Sequence, residues 1–260
     1  MSQGFDLKGS YYSYINKDTL PSVFIHGVGL DHQMWKPQIN SLNEFSTLTY
    51  DLLGHGNSEL KNDEVTLNDF SNQLKSLLDF LNIKKINLIG FSLGSLIAID
   101  FTQKFKEYLD TLTLMGTTYQ RTDEERSKVL DRFEQAKLNK PISRQALKRW
   151  FSDKYLDDNP EIYSEFMNIL NKEPKDHDNF LKAYKLFANH RDDIRSIKKI
   201  ETKTLIMTGS DDPGSTVSMS KSLSKDLVNS KFVEVKNGKH LCSIECADEV
   251  NINLKNFIYN

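Results

Sequence analysis

The chain has 260 residues, 38% of them hydrophobic and 27% charged, with 15 Phe, 10 Tyr and a formal net charge of −2. That length suits one α/β domain carrying an insertion, with enough apolar material to fill a core. The near-neutral charge argues against a nucleic-acid partner, which would call for a basic stripe. No apolar run approaches the roughly 18 residues that a membrane span needs. Met1-Ser2-Gln3-Gly4-Phe5-Asp6 lacks the basic and apolar regions of a secretory leader, so a cytoplasmic location is expected.

Phe5 to Asn16 alternates loosely around Gly9 and reads as an opening hairpin. Ser22-Val23-Phe24-Ile25 and Thr47-Leu48-Thr49-Tyr50 are short strands, and Met34, Trp35, Ile39 and Leu42 between them suggest a short helix. Thr66 reads as an N-cap with Asp69 three residues on. Phe70, Leu74, Leu77, Leu78 and Leu81 then recur on one helical face. An Ile86–Ile89 strand, a Leu96–Phe105 helix and a Thr111–Met115 strand follow. Strands that are apolar nearly throughout, alternating with helices, imply a mostly parallel sheet covered on both faces.

After Gly116 the rhythm stops. Residues 118–200 are charged and helical, with candidate starts at Thr122, at Ser143, and at Asn159 before Pro160. Trp150, Phe151, Tyr163, Phe166, Phe180, Tyr184 and Phe187 anchor these helices, and Trp150, Tyr163, Phe166 and Tyr184 are candidates to line a pocket roof. A Thr204–Met207 strand, a Ser215–Leu227 helix, a Lys231–Val235 strand and a closing helix through Val250, Leu254, Phe257 and Ile258 complete the chain. The expected organisation is a core of residues 1–117 and 201–260, interrupted by a helical lid over 118–200.

Gly90-Phe91-Ser92-Leu93-Gly94 lies between the strand ending at Ile89 and the helix starting near Leu96. A serine between two glycines at a strand-to-helix turn is the setting of a nucleophile elbow. A serine hydroxyl needs a base to take its proton, and the imidazole base needs a third group to fix its tautomer. The later strands run into Gly209-Ser210-Asp211-Asp212-Pro213 and Lys236-Asn237-Gly238-Lys239-His240, which places candidates for both roles. Asp212 is favoured over Asp211 because it stands three residues after Gly209 and directly before a proline. The Val28 and Leu93 amides are candidate donors to an oxyanion. Among the other histidines, His32, His177 and His190 read as surface or helix residues and His55 as loop. His26 reads as shaping its turn through side-chain hydrogen bonds. Cys242 and Cys246 are too few for a metal site and read as free thiols in a reducing compartment. No cofactor or metal is expected.

Four segments in register carry a family resemblance: His26-Gly27-Val28-Gly29, Asp51-Leu52-Leu53-Gly54-His55-Gly56-Asn57-Ser58, the Ser92 elbow, and the Asp212 loop with His240. The chain resembles the α/β-hydrolase superfamily, in its esterase, lactonase and perhydrolase branch. The segment from His240 to Asn251 is similar to the end of 3-oxoadipate enol-lactonases. Lys239 departs from the family, where a glycine commonly precedes this histidine. The resemblance implies an α/β-hydrolase fold and a serine hydrolase acting on a small ester or lactone, as a monomer or homodimer. Dehalogenases and epoxide hydrolases of the fold carry an aspartate at the elbow, so Ser92 argues against both. Carbon–carbon hydrolysis, acyl transfer, and a ligand sensor docking partners through 118–200 stay open as alternatives.

Overall fold

The computed structural model describes residues 1–138, 143–170 and 174–259. Eight strands form one sheet: β1 (Ser2–Phe5), β2 (Tyr11–Ile15), β3 (Ser22–Ile25), β4 (Thr47–Tyr50), β5 (Ile86–Phe91), β6 (Leu109–Met115), β7 (Lys203–Gly209) and β8 (Ser230–Val235). Their order is β1-β2-β4-β3-β5-β6-β7-β8, with the β1–β2 and β2–β4 pairs antiparallel and the other pairs parallel. Asp6 closes the opening hairpin, its Oδ1 accepting from the Lys8 and Ser10 amides at 2.9 and 2.8 Å.

The helices of the core are α1 (Lys36–Ser41), α2 (Leu67–Phe80) and α3 (Leu93–Lys104). The stretch between β6 and β7 holds α4 (Asp123–Lys137), α5 (Ser143–Trp150), α6 (Asp153–Asp158), α7 (Pro160–Leu170), α8 (Pro174–Asn189) and the short α9 (Ile194–Ile197). Then come α10 (Val217–Asp226), α11 (Cys242–Glu245) and α12 (Ala247–Tyr259). Among the described residues no helix is long and apolar enough to cross a membrane.

Local chemistry sets several of these boundaries. Thr66 and Asp69 form the expected reciprocal cap of α2, the Asp69 amide donating to Thr66 Oγ1 and the Thr66 amide to Asp69 Oδ2. Thr122 and Glu125 repeat that device at α4. The helix after β5 starts at Leu93, three residues before the expected Leu96, since the Ser92 carbonyl already accepts from the Ser95 and Leu96 amides at 3.0 and 3.4 Å.

Side chains of successive strand residues point to opposite faces of the sheet. Val23 and Ile25 join one apolar cluster while Phe24 joins the other, and Leu88 and Ile89 divide in the same way. Helices α2, α3 and α10 cover the first face, and α1 and α12 cover the second. The helices between β6 and β7 divide too. Val129, Phe133, Phe180, Tyr184 and Phe187 of α4 and α8 extend the first cluster, whereas Leu147, Phe151 and Phe166 extend the second. A cavity opens between these two groups, over the C-terminal ends of the strands.

Candidate active site

Ser92 stands at the junction of β5 and α3 with φ 54° and ψ −114°, a conformation that non-glycine residues rarely adopt. The surroundings hold it there. Its amide donates to the Met115 carbonyl at 2.9 Å, tying the turn to β6. Ser95 Oγ donates to the Gly90 carbonyl at 2.7 Å and accepts from the Met115 amide at 3.2 Å, pinning both ends of the turn. A Cβ at Gly90 would run into the Gly94 carbonyl, and one at Gly94 into the Ile25 carbonyl, with the His26 carbonyl 2.7 Å away. The elbow therefore packs backbone against backbone with the end of β3.

His240 and Asp212 arrive from the two strands beyond. His240 Nδ1 and Asp212 Oδ2 are 2.6 Å apart. A carboxylate only accepts, so Nδ1 carries the proton and Nε2 is left with a lone pair. Asp212 Oδ1 accepts from the Gly214 and Ser215 amides at 2.8 and 2.9 Å, which fixes the carboxylate plane. Asp211 is exposed, and its Oδ1 accepts from Ser210 Oγ at 3.1 Å. The structure thus brings Asp212, and not Asp211, against His240.

Two glycines let these loops meet. A Cβ at Gly209 would collide with the carbonyls of Gly238 and Lys239. Gly116, with φ +55°, leaves room for the imidazole, since a Cβ there would be 3.2 Å from His240 Cε1. The glycine of the β8 turn is therefore Gly238, one place before Lys239. Lys239 itself reaches away, its Nζ donating to the Lys148 carbonyl of α5 at 2.7 Å.

Ser92 and His240 line one cavity of about 330 Å³ together with Asp212 and Val28. Leu93 opens α3, so its N–H is one of the helix-start donors without a partner in the helix. The Val28 N–H has no hydrogen-bond partner among the described residues. An oxygen held between these amides would be stabilised as negative charge built up on it. The Ser92 hydroxyl and the His240 ring thus face one cavity, and Asp212 steadies the imidazole through Nδ1.

Of the four expected roof residues, Trp150 and Tyr184 wall the cavity, and Tyr163 and Phe166 do not. Phe166 is 2% exposed and buries its ring edge-on against Trp150 and Phe151, at centroid distances of 6.1 and 5.2 Å. It supports the roof from behind. Phe180 and Phe187 take the wall positions, together with Arg132 and Arg149, which sequence reading did not single out.

His32 opens a short helical turn and is partly exposed, in line with the surface-or-helix reading, and it also partners the buried Asp51, whose Oδ1 accepts from His32 Nδ1 at 2.7 Å and from the His32 amide at 2.9 Å. Asp51 Oδ2 accepts from the Asn57 amide at 2.8 Å, so one carboxylate joins the loops after β3 and β4. Burial pulls the His32 pKa down, but the hydrogen bond and charge of Asp51 outweigh it, and the net shift is upward. His26 does shape its turn. The Leu52 amide donates to its Nε2 at 2.9 Å, so Nδ1 carries the proton and donates to the Gly27 carbonyl at 2.8 Å. Burial holds its pKa down, in keeping with a neutral ring. Cys242 and Cys246 are free, and burial raises both thiols, that of Cys246 to about 11.

The sequence profile of the α/β-hydrolase fold matches residues 23–246. Among curated proteins, the chain is 27% identical to the (E)-2-((N-methylformamido)methylene)succinate hydrolase of Acinetobacter baylyi, over 89% of this chain and 87% of the relative. It is 28% identical to 3-oxoadipate enol-lactonase 1 of the same organism, over 86% and 82% of the two chains. Among solved structures, the enol-lactonase of Burkholderia xenovorans LB400 superposes with a TM-score of 0.88 at 21% identity, covering 96% of each chain.

Proposed function

Because the chain belongs to the α/β-hydrolase fold family, we propose that it hydrolyses a small carboxylic ester or lactone through an acyl-enzyme on Ser92. The observation that carries this reading is the 2.6 Å contact of His240 Nδ1 with Asp212 Oδ2 beside an elbow serine that lines the same cavity. Hydrolases and enol-lactonases among the relatives support it.

Ser92 Oγ attacks the carbonyl carbon as His240 Nε2 takes its proton. Negative charge moves to the carbonyl oxygen, which the Val28 and Leu93 amides hold. Collapse of the tetrahedral adduct breaks the bond to the leaving oxygen, which receives the proton from Nε2. A lactone opens without losing a fragment, so its leaving oxygen stays tethered to the acyl group. Water, deprotonated by Nε2, then attacks the acyl-enzyme and restores the Ser92 hydroxyl. Asp212 stays ionised throughout and stabilises the imidazolium. Residues 118–200 act as the lid over a core of 1–117 and 201–260, and Trp150 and Tyr184 of that lid contact the acyl or alcohol part.

The test is turnover of short-chain p-nitrophenyl esters, with a fluorophosphonate probe to report on Ser92. Hydrolysis that disappears in Ser92→Ala, together with labelling at Ser92, is the expected result. Folded protein that shows neither turnover nor labelling overturns the reading. A panel setting enol-lactones against simple esters then separates lactonase from esterase activity.

A further inference from the structure

We propose that Glu245 and Lys239 are positioning residues for His240, fastening the turn that carries the imidazole to the roof at residues 148–152. The inference rests on the hydrolytic reading, in which His240 is the base, and assigns to the roof a part in placing that base.

Asp212 holds His240 by its ring. Neither the amide nor the carbonyl of His240 has a hydrogen-bond partner among the described residues, so the bonds of its neighbours set its backbone position. Upstream, the Gly238 carbonyl accepts from the Asp211 amide at 3.0 Å, which ties the turn to the loop after β7. The two residues that flank His240 are tied to the roof instead. The Leu241 amide donates to the Trp150 carbonyl at 3.0 Å, and Lys239 Nζ donates to the Lys148 carbonyl at 2.7 Å.

The end of α5 shows how the two parts fit. The Phe151 amide still donates to the Leu147 carbonyl at 2.9 Å. One residue further, a continuing helix would pair the Ser152 amide with the Lys148 carbonyl. Both halves of that pair go to the His240 turn. The Ser152 amide donates to Glu245 Oε1 at 3.0 Å, and the Lys148 carbonyl accepts from Lys239 Nζ. A cation is favoured at such a helix end, where carbonyls lack helical donors. Glu245 Oε2 accepts in turn from the Lys239 amide at 3.1 Å, so one carboxylate spans the roof and the turn. Beneath these bonds, buried Leu241 shares an apolar cluster with Leu147, Phe151 and Phe166. A glycine at position 239 would keep the amide bond to Glu245 and lose the ammonium.

The other roof helices are anchored elsewhere. The His177 ring of α8 bonds the Ala136 carbonyl of α4, and Lys182 and Lys185 reach Asn62 and Glu64. Among the described residues no hydrogen bond or ion pair joins α4 or α8 to residues 143–170. The segment that walls the cavity with Trp150 is therefore the one that holds the base.

Proton NMR reads the base itself. The Nδ1 proton that His240 shares with Asp212 is expected downfield of the amide protons, identified by its absence in His240→Gln. Glu245→Gln keeps the size of the side chain but turns one acceptor end into a donor, so one of the two amides loses its partner. Lys239→Met keeps the stem and removes the ammonium. In both variants we expect the resonance to shift or to exchange faster. We also expect kcat on p-nitrophenyl acetate to fall, by about tenfold in Glu245→Gln and about threefold in Lys239→Met, with KM within about twofold. Lys239→Arg restores a donor and is expected to recover both readouts. A resonance unchanged in both variants overturns the assignment, as does parental kcat in both. A fall in kcat that only matches the loss of folded protein in thermal unfolding also overturns it. If Glu245→Gln does not fold, Lys239→Met, which alters a single half-buried side chain, decides alone. A parent that cleaves no ester overturns the hydrolytic reading, and the resonance still decides whether the roof positions His240.

Discussion

Replacing Asp212 by asparagine tests the proposed division of labour at single-atom resolution. Asp212 Oδ1 accepts two backbone amides, from Gly214 and Ser215, while Oδ2 accepts one N–H, from His240. An asparagine keeps its carbonyl oxygen on the two amides, because only that end can accept. Its NH₂ group then faces His240 Nδ1, where a carboxylate oxygen used to be. Two donors cannot share that contact, so the ring moves its proton to Nε2, the atom that must accept from Ser92. The loop keeps its shape and the base is lost. In serine–histidine–acid constellations this change costs about 10⁴ in kcat, or about 5.5 kcal/mol of transition-state stabilisation. We expect a fall of about 10³- to 10⁴-fold in kcat on a short p-nitrophenyl ester, with KM moving little and the thermal midpoint within a few degrees of the parent. Fluorophosphonate labelling of Ser92 should slow in parallel. Asp211→Asn, which alters only an exposed carboxylate bonded to Ser210, should stay within about twofold. An Asp212→Asn protein with more than a tenth of parental kcat, or an Asp211→Asn protein equally impaired, would refute the assignment of the acid.

Gly94→Ala forces a methyl group into the Ile25 and His26 carbonyls, which belong to a strand end and cannot yield cheaply, so we expect a loss of about 3 kcal/mol or more in denaturant unfolding. A variant as stable as the parent would show that the elbow and the β3 loop are less tightly opposed than described. Ser95→Ala leaves the buried Gly90 carbonyl without its hydroxyl donor and should cost about 1–3 kcal/mol, read as a shift in the denaturant midpoint at unchanged slope. His32 has a raised pKa in the folded state, so its contribution to stability is full below the unfolded value of about 6.5 and is lost as pH rises through the folded value. The stability advantage of the parent over His32→Gln should therefore shrink as pH rises above about 6.5, and an advantage that stays constant with rising pH would count against the His32–Asp51 ion pair.

What could be read from the sequence is what short-range chemistry dictates. The Thr66 cap is a local exchange of hydrogen bonds between residues three apart, so the letters suffice. The elbow was legible because two backbone approaches exclude a Cβ at Gly90 and Gly94, and only one residue type meets that condition. The choice of Asp212 followed from loop spacing in a similar way. His32 and Asp51 are 19 positions apart and meet only because β3 and β4 lie side by side, which no local pattern encodes. In the sequence Gly116 marks only the place where the strand–helix rhythm stops, and its closeness to His240 depends on the sheet order. Tyr163 and Phe166 read as apolar helix positions. Helical periodicity places them on an apolar face, but packing against Trp150 and Phe151 decides that the Phe166 ring lies behind the wall.

The same distinction separates the machinery of the site from its selectivity. On the sheet side the space is already taken: a Cβ at Gly27 would come within 2.9 Å of the Phe91 ring, one at Gly116 within 3.2 Å of His240, and one at Gly94 into the backbone of β3. Side chains added there would displace the reacting groups before they could touch a substrate. That wall can hold a hydroxyl, an imidazole and two amides in register, but it cannot be resculpted for a new acyl group. The roof is under no such constraint, because its helices meet the cavity through side chains and not through backbone. Trp150, Tyr184, Arg132 and Arg149 can change in size and charge while the elbow stays as it is. Chemistry held by the backbone leaves a motif in the sequence, and recognition held by lid side chains does not. For that reason the substrate of this protein is to be sought in the side chains of its roof.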